Sequence, residues 1–298
     1  LSVSDTEKTQ VRQPHGYLYA NAKPARAVTV TLGASYDHYE EGDLDSNSFN
    51  PKLGAQWDVS DRVSLRAAVF KTVKPALVNN RTIEPTQVAG FNQFFDDVNG
   101  TKSWRYAAGL DWRMTADLAA GSEFSYREMD EPLFTDDGGD RFESRDEQFH
   151  KLYLYWTPSE RVAVNSQLSY DRYTSENGIA TEFDNLPKKV RTVSLPVGIT
   201  YFSKSGWFSG ITGSFVDQDV KRSGTATQAD GDDSFTVVDG VIGYRFGKRL
   251  GVASLGVSNI FDKDFKYQDD SYREFRDEPS IGPYFPDRTV MGRLTLNY

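Results

Sequence analysis

The chain has 298 residues, with 43 acidic against 34 basic side chains, a formal net charge of −9 and no cysteine. The acidic balance argues against a nucleic-acid partner. The missing cysteines exclude disulfides, thiolate metal sites and cysteine nucleophiles. No apolar run reaches the roughly 18 residues of a membrane-spanning helix. Yet 16 Tyr, 19 Phe and 5 Trp sit in a chain whose mean hydropathy is −0.58. Its apolar surface must therefore come in bands, as in a transmembrane barrel where only every second residue is apolar. The opening LSVSDTEK has no signal-peptide character.

In chain order, HGYLYANA is a weak strand. ARAVTVTLGASYD follows, with Val28, Val30, Leu32, Ala34 and Tyr36 on one face and Thr29, Thr31, Gly33 and Ser35 on the other. FNPKLGAQWDV sets Phe49, Leu53 and Trp57 against Asn50, Lys52 and Gln56. VSLRAAVFKT sets Val63, Leu65 and Val69 against Ser64 and Arg66, and WRYAAGLDWRM sets Trp104, Tyr106, Leu110 and Trp112 against Arg105, Asp111 and Arg113. The pattern continues through LAAGSEFSYR, HKLYLYW, VAVNSQLSYD, VRTVSLPVGITYF, GWFSGITGSFVD, TVVDGVIGYRF, VASLGVSNIFD and the terminal PDRTVMGRLTLNY. About thirteen strands are legible. Strand parity asks for one more before HGYLYANA, for which TEKTQVRQ is a poor candidate, so missing upstream sequence is expected.

The connections alternate in length. AKPA, SD, TAD, PSE, SKS and GKR are short. EEGDLDSNS, Lys74 to Lys102, EPLFTDDGGDRFESRDE, TSENGIATEFDNLPK, DVKRSGTATQADGDDS and KDFKYQDDSYREFRDEPSIGPYFPD are long and polar. Short turns at one end and long loops at the other are the plan of an outer-membrane barrel. The aromatics agree. Trp57, Trp112, Trp156, Trp207 and Tyr298 lie near the short turns, and Trp104 lies near a long-loop end, as two interfacial belts require. A soluble β-sandwich predicts the alternation but neither the belts nor the loop rhythm. The expected fold is all-β: an antiparallel up-and-down transmembrane β-barrel of about fourteen visible strands, in the outer membrane of a Gram-negative bacterium.

Two stretches carry a family resemblance. FNPKLGAQWDVSDRVSLRAAVFKTVKPALV, through Asn50-Pro51-Lys52 and Leu65-Arg66-Ala67, resembles a hairpin of the TonB-dependent receptor superfamily. LGVSNIFDKDFKYQDD and PDRTVMGRLTLNY resemble the end of those barrels, through Val257, Asn259, Phe261, Asp262, Lys263, Pro286 and Arg288. The resemblance covers the barrel alone: no plug, TonB-contacting box or full set of about twenty-two strands is visible. RTIEPTQVAGFNQFFDDVNGTKSWRYAAGLD looks closer to a related group, in which a similar barrel follows tetratricopeptide repeats. The expectation is therefore one barrel domain over residues 1–298, the C-terminal part of a longer protein. What the resemblance implies is a transport barrel that moves solute without chemistry, not an enzyme. The alternatives are the pore of a repeat-plus-barrel protein, such as a polymer exporter, and an outer-membrane enzyme with a rim site. The implied partners are outer-membrane lipid, the barrel-assembly machinery through the C-terminal strand, and an upstream plug or repeat domain with TonB.

The polar faces carry Lys52, Arg66, Arg105, Asp111, Arg113, Glu123, Arg127, Lys151, Asp171, Asp239, Arg245 and Arg293. Arg or Lys facing lipid at the midplane costs about 2–4 kcal/mol, so these are expected to face the lumen. They either select passing solutes or brace a closed lumen by ion pairs. The run Lys52, Arg66, Arg105 and Arg113 predicts a positive conduit that favours anions. His38 follows Asp37, but neighbours on a strand point to opposite faces and form no dyad together. DDGGD (136–140) and DGDD (230–233) lack the spacing of a calcium loop, so neither a metal nor a cofactor is expected. Lys74 to Lys102 is too long for a simple loop, and it either folds inward as a constriction or stands outside as a ligand-capturing hairpin.

Overall fold

The computed structural model describes residues 11–41, 44–75, 84–93, 95, 97–133, 141–175, 187–222, 230–247, 250–268, 284 and 287–297. In order, the strands are β1 (Val11–Arg12), β2 (His15–Ala25), β3 (Val28–Glu41), β4 (Leu44–Ser60), β5 (Val63–Val73), β6 (Gln87–Val88), β7 (Phe91–Asn92) and β8 (Lys102–Arg113). They continue as β9 (Leu118–Leu133), β10 (Arg141–Ser159), β11 (Val162–Ser175), β12 (Pro187–Phe202), β13 (Trp207–Arg222), β14 (Gly231–Arg245), β15 (Gly251–Ser258) and β16 (Thr289–Leu296). All but β6 and β7 join one 14-stranded antiparallel sheet in which sequential strands are neighbours. The thirteen stretches with alternating patterns each supply one long strand. The described end of TEKTQVRQ is no separate strand running the other way: β1 pairs with β3 beside β2 and continues it.

Burial is inverted relative to a water-soluble protein. The apolar faces are open, with Leu32 51%, Leu53 48% and Ile211 54% exposed, while Lys52 is 3% and Arg127 2% exposed on the polar faces. A sandwich would hide the leucines. A contiguous apolar outer band of this kind is stable only against lipid. Trp57, Trp112, Trp156 and Trp207 lie on this open face, and Trp104 is half-buried on it; Tyr298 lies outside the described residues.

Three small apolar clusters sit on the polar side, towards the long connections. They centre on Phe70 with Val88 and Phe91, on Tyr173 with Val190 and Val220, and on Val216 with Phe235 and Val237. The last is roofed by Phe265, Tyr267 and Tyr284 from the connection between β15 and β16.

The strands run further into the long connections than the alternation shows. β10 has 19 residues and β4 has 17, where about 9–11 suffice to cross a bilayer. EPL and RFESRDE, read above as loop, are the paired ends of β9 and β10. They carry mostly charged and polar side chains, so hydropathy does not mark them.

Candidate functional site

The polar wall is ordered in rows by strand register. One row runs Lys52, Phe70, Arg105, Arg127, Glu147 and Tyr173 across β4, β5, β8, β9, β10 and β11. A second, nearer the short turns, runs Gln56, Arg66, Gly109, Glu123 and Lys151. Glu123 is the hub of the second row. It meets Arg66 at 3.5 Å, Arg105 at 3.4 Å and Lys151 at 3.2 Å.

The described residues of the connection from β5 to β8 (84–93, 95 and 97–101) lie against these rows as a strap. β6 and β7 form a hairpin in which Val88 faces Phe91 across Ala89 (φ 49°) and Gly90 (φ 83°). Positive φ at both central residues is the type I′ geometry, which glycine adopts freely and alanine only at a cost. The hairpin packs so closely that a Cβ on Gly54 of β4 would stand 2.7 Å from the Ala89 Cβ.

Arginines tie the strap down. Arg66 donates to the Gly90 carbonyl at 3.3 Å, and Arg105 donates to the Asn92 carbonyl at 2.8 Å. Arg127 pairs with Asp97 of the strap and, at 2.8 Å, with Glu147 of the wall. Rings complete the fit: the Arg127 guanidinium lies 3.9 Å from the Phe95 centroid, and that of Arg66 lies 4.8 Å from Phe91. At the other end Glu84 receives Lys52 at 3.4 Å and the Tyr19 hydroxyl at 2.5 Å.

The four cations of the expected positive conduit fall in two groups. Lys52, Arg66 and Arg105 lie under the strap and are ion-paired, and Arg113 stands apart, exposed beside a short turn. Asp111 pairs with Arg66 at 2.9 Å and accepts from Tyr153. Of the other polar-face residues, Asp171 is half-buried, and Asp239 accepts the Asn259 backbone N–H at 2.8 Å. Arg245 is exposed with its guanidinium 4.8 Å from the Phe202 ring, and Arg293 is exposed on β16. Sequence reading missed Glu84, Asp97, Glu131, Glu143, Arg145 and Glu147. Phe91 and Phe95 were the one visible signal that the connection had an apolar side to bury.

Two of the three histidines, His15 and His38, meet carboxylates. His15 Nδ1 meets Asp37 at 2.8 Å and its Nε2 meets Glu84 at 3.3 Å, so both nitrogens face carboxylates. His38 points to the other face and meets Glu40 at 2.9 Å. In DGDD, Asp230 and Asp233 accept the backbone N–H groups of Arg222 and Lys266, each at 2.7 Å. DDGGD lies outside the described residues. Among the described residues no helix is long and apolar enough to cross a membrane, which says nothing of strands.

An antiparallel sheet that exposes its apolar face and buries ion pairs on the other is the wall of a transmembrane β-barrel. The family model described as "TonB dependent receptor-like, beta-barrel" matches residues 2–260. The chain belongs to that family, and so to the Gram-negative outer membrane. Similar solved structures include the FrpB iron transporter from Neisseria meningitidis, 14% identical, covering 95% of this chain and 44% of that one with a TM-score of 0.68. The ferric-catecholate import receptor Fiu from K12 E. coli is 15% identical over 97% of this chain and 45% of that one, at 0.61. The siderophore receptor PirA from Acinetobacter baumannii is 15% identical over 95% and 45%, also at 0.61. The chain thus spans less than half the length of each. No curated protein matches it.

Proposed function

We propose that this chain is the wall of an outer-membrane importer of TonB-dependent-receptor type, which moves a ligand inward without chemistry. The observation that carries this is the strap. It fills the inner wall through ion pairs, ring contacts and a few hydrogen bonds, all of which can be exchanged for contacts to a passing molecule. The solved neighbours are described as an iron transporter, a ferric-catecholate import receptor and a siderophore receptor. That supports a ferric chelate as the ligand class, with TonB as the energising partner and Lys52, Arg66, Arg105, Glu123 and Arg127 as lumen-facing residues.

We further propose that additional strands complete the barrel. What supports this is that the chain covers only 44–45% of the length of these solved neighbours. The test is uptake of labelled ferric chelates by cells in which the full-length protein is the sole receptor. Uptake that stops when TonB is deleted is expected. Uptake indifferent to TonB, or none for any chelate despite a folded barrel, overturns the reading.

A further inference from the structure

The outward face of β8 to β13 carries a second arrangement that transport does not use. Arg172 on β11 stands directly opposite Arg191 on β12, and Lys189 stands directly opposite Lys221 on β13. By strand parity all four share the open face of Leu168, Tyr170 and Leu195. Like charges placed opposite each other destabilise a sheet unless an anion lies between them. The protein answers only part of this. Arg191 meets Asp217 at 3.0 Å, and Lys221 meets Asp219 at 3.5 Å and Asp230 at 3.7 Å. Among the described residues Arg172 and Lys189 meet no carboxylate, and Arg172 Nε is buried without a hydrogen-bond partner.

Towards the membrane from Arg172 comes an aromatic shelf. Tyr170 stacks on His150 at 5.7 Å and 10°, and His150 meets Phe124 at 5.4 Å. His150 Nδ1 is again buried without a partner. Rings at this height mark the interface, where one end of a side chain is apolar and the other polar.

Below the shelf is a groove of about 490 Å³, lined by Leu110, Ser122, Leu152, Ser166, Leu168 and Leu195. Two serines stand among the leucines and leave it hollow. The β11–β12 ladder is also interrupted here, between Ser166↔Val197 and Ser169↔Ser194, and Pro196, which has no N–H to give, lies in the gap. From Leu168, in the groove, to Arg172 the strand rises about 13 Å.

We propose that this strip binds one phosphorylated lipid of the outer leaflet, with a phosphate between Arg172 and Arg191 and an acyl chain in the groove beneath. The charge complements a phosphate, the groove complements hydrocarbon, and the shelf joins them at the depth where a lipid changes from one to the other. The face is open to the bilayer, so the lipid reaches it by lateral diffusion.

The test uses the full-length protein extracted from a Gram-negative host in mild detergent, with bound lipid read by native mass spectrometry. The wild type should retain one phosphorylated lipid. Arg172→Gln/Arg191→Gln and the groove-filling Ser122→Phe should each retain several-fold less. Arg161→Gln, in the exposed β10–β11 turn, should match the wild type. If the double variant does not fold, Arg172→Gln alone is read in the same way. Added phosphorylated lipid should raise the Tm of the wild type and not of the glutamine variant, and the same lipid stripped of phosphate should do neither. Equal retention by all variants, equal stabilisation by the dephosphorylated lipid, or a lipid-free dimer occupying this face overturns the proposal.

Discussion

Arg105 and Arg127 stand directly opposite each other on β8 and β9, both almost wholly buried. Two guanidinium groups in that position repel unless anions and rings intervene. Asp97, Glu123, Glu147 and the Phe95 ring do so, and two of these belong to the strap. The wall and the strap are therefore one electrostatic unit.

Asp97→Asn should break that unit from the strap side. Removing one partner of a buried pair leaves an uncompensated charge, at a cost of about 3–5 kcal/mol. The expected result is a lower unfolding midpoint and faster proteolytic cleavage within 74–101, with the strands still protected. A cleavage rate equal to wild type would mean that the Arg127–Asp97 pair does not hold the strap.

Gly54→Val should displace the same strap by steric means. Its side chain would meet Ala89 and Val88 of the hairpin, while β4 itself is extended there and accepts valine. Overpacking of this kind costs about 1–3 kcal/mol. In planar bilayers the purified variant should conduct more than the wild type. Unchanged conductance would show that the strap does not obstruct the lumen.

The facing of the wall is tested by paired substitutions. Leu195→Arg and Leu255→Arg, on the open apolar face, should each cost about 2–4 kcal/mol near the midplane. Thr200→Arg and Ser254→Arg, on the opposite face, should fold far better. Heat-modifiable migration on gels reports the folded fraction, and equal damage from both pairs would invert the assignment.

Asp117 gives a pH dependence outside the membrane. It lies in the short turn before β9, where the Thr115 hydroxyl donates at 2.6 Å and the Trp156 indole N–H at 3.3 Å. Thr115 above all holds its carboxyl below the usual carboxylate range. A depressed folded value means the contribution is complete above the unfolded value of about 4 and is lost as pH falls through the folded one. The indole N–H resonance of Trp156 should shift only below about pH 4. In Asp117→Asn it should not titrate there; titration in the variant would assign the shift to another group.

The strands were legible because a bilayer demands strict alternation, and residues such as Leu53 against Lys52 display it openly. The outer ends of β9 and β10 were not, because their cohesion is ionic. Arg145 is held by Glu131 and, at 2.8 Å, by Glu143, and neither pair leaves a hydropathy signal. The ion-pair partners of the polar-face cations could not be named from the sequence. Compensation for Arg127 comes from Asp97, 30 residues away on a segment whose inward fold no local pattern dictates. Lys52 and Glu84 are separated in the same way.

The inversion of burial also imposes an order of events. Before it meets lipid, the band of Leu32, Leu53, Leu195 and Ile211 faces water, where bands from two chains adhere as readily as a band adheres to a membrane. The ion pairs that rigidify the wall need neighbouring strands already in register, so they cannot restrain the chain during that interval. Time spent in water is thus the hazardous stage in the life of this protein, and its yield should depend on how quickly each newly made chain is escorted to its bilayer.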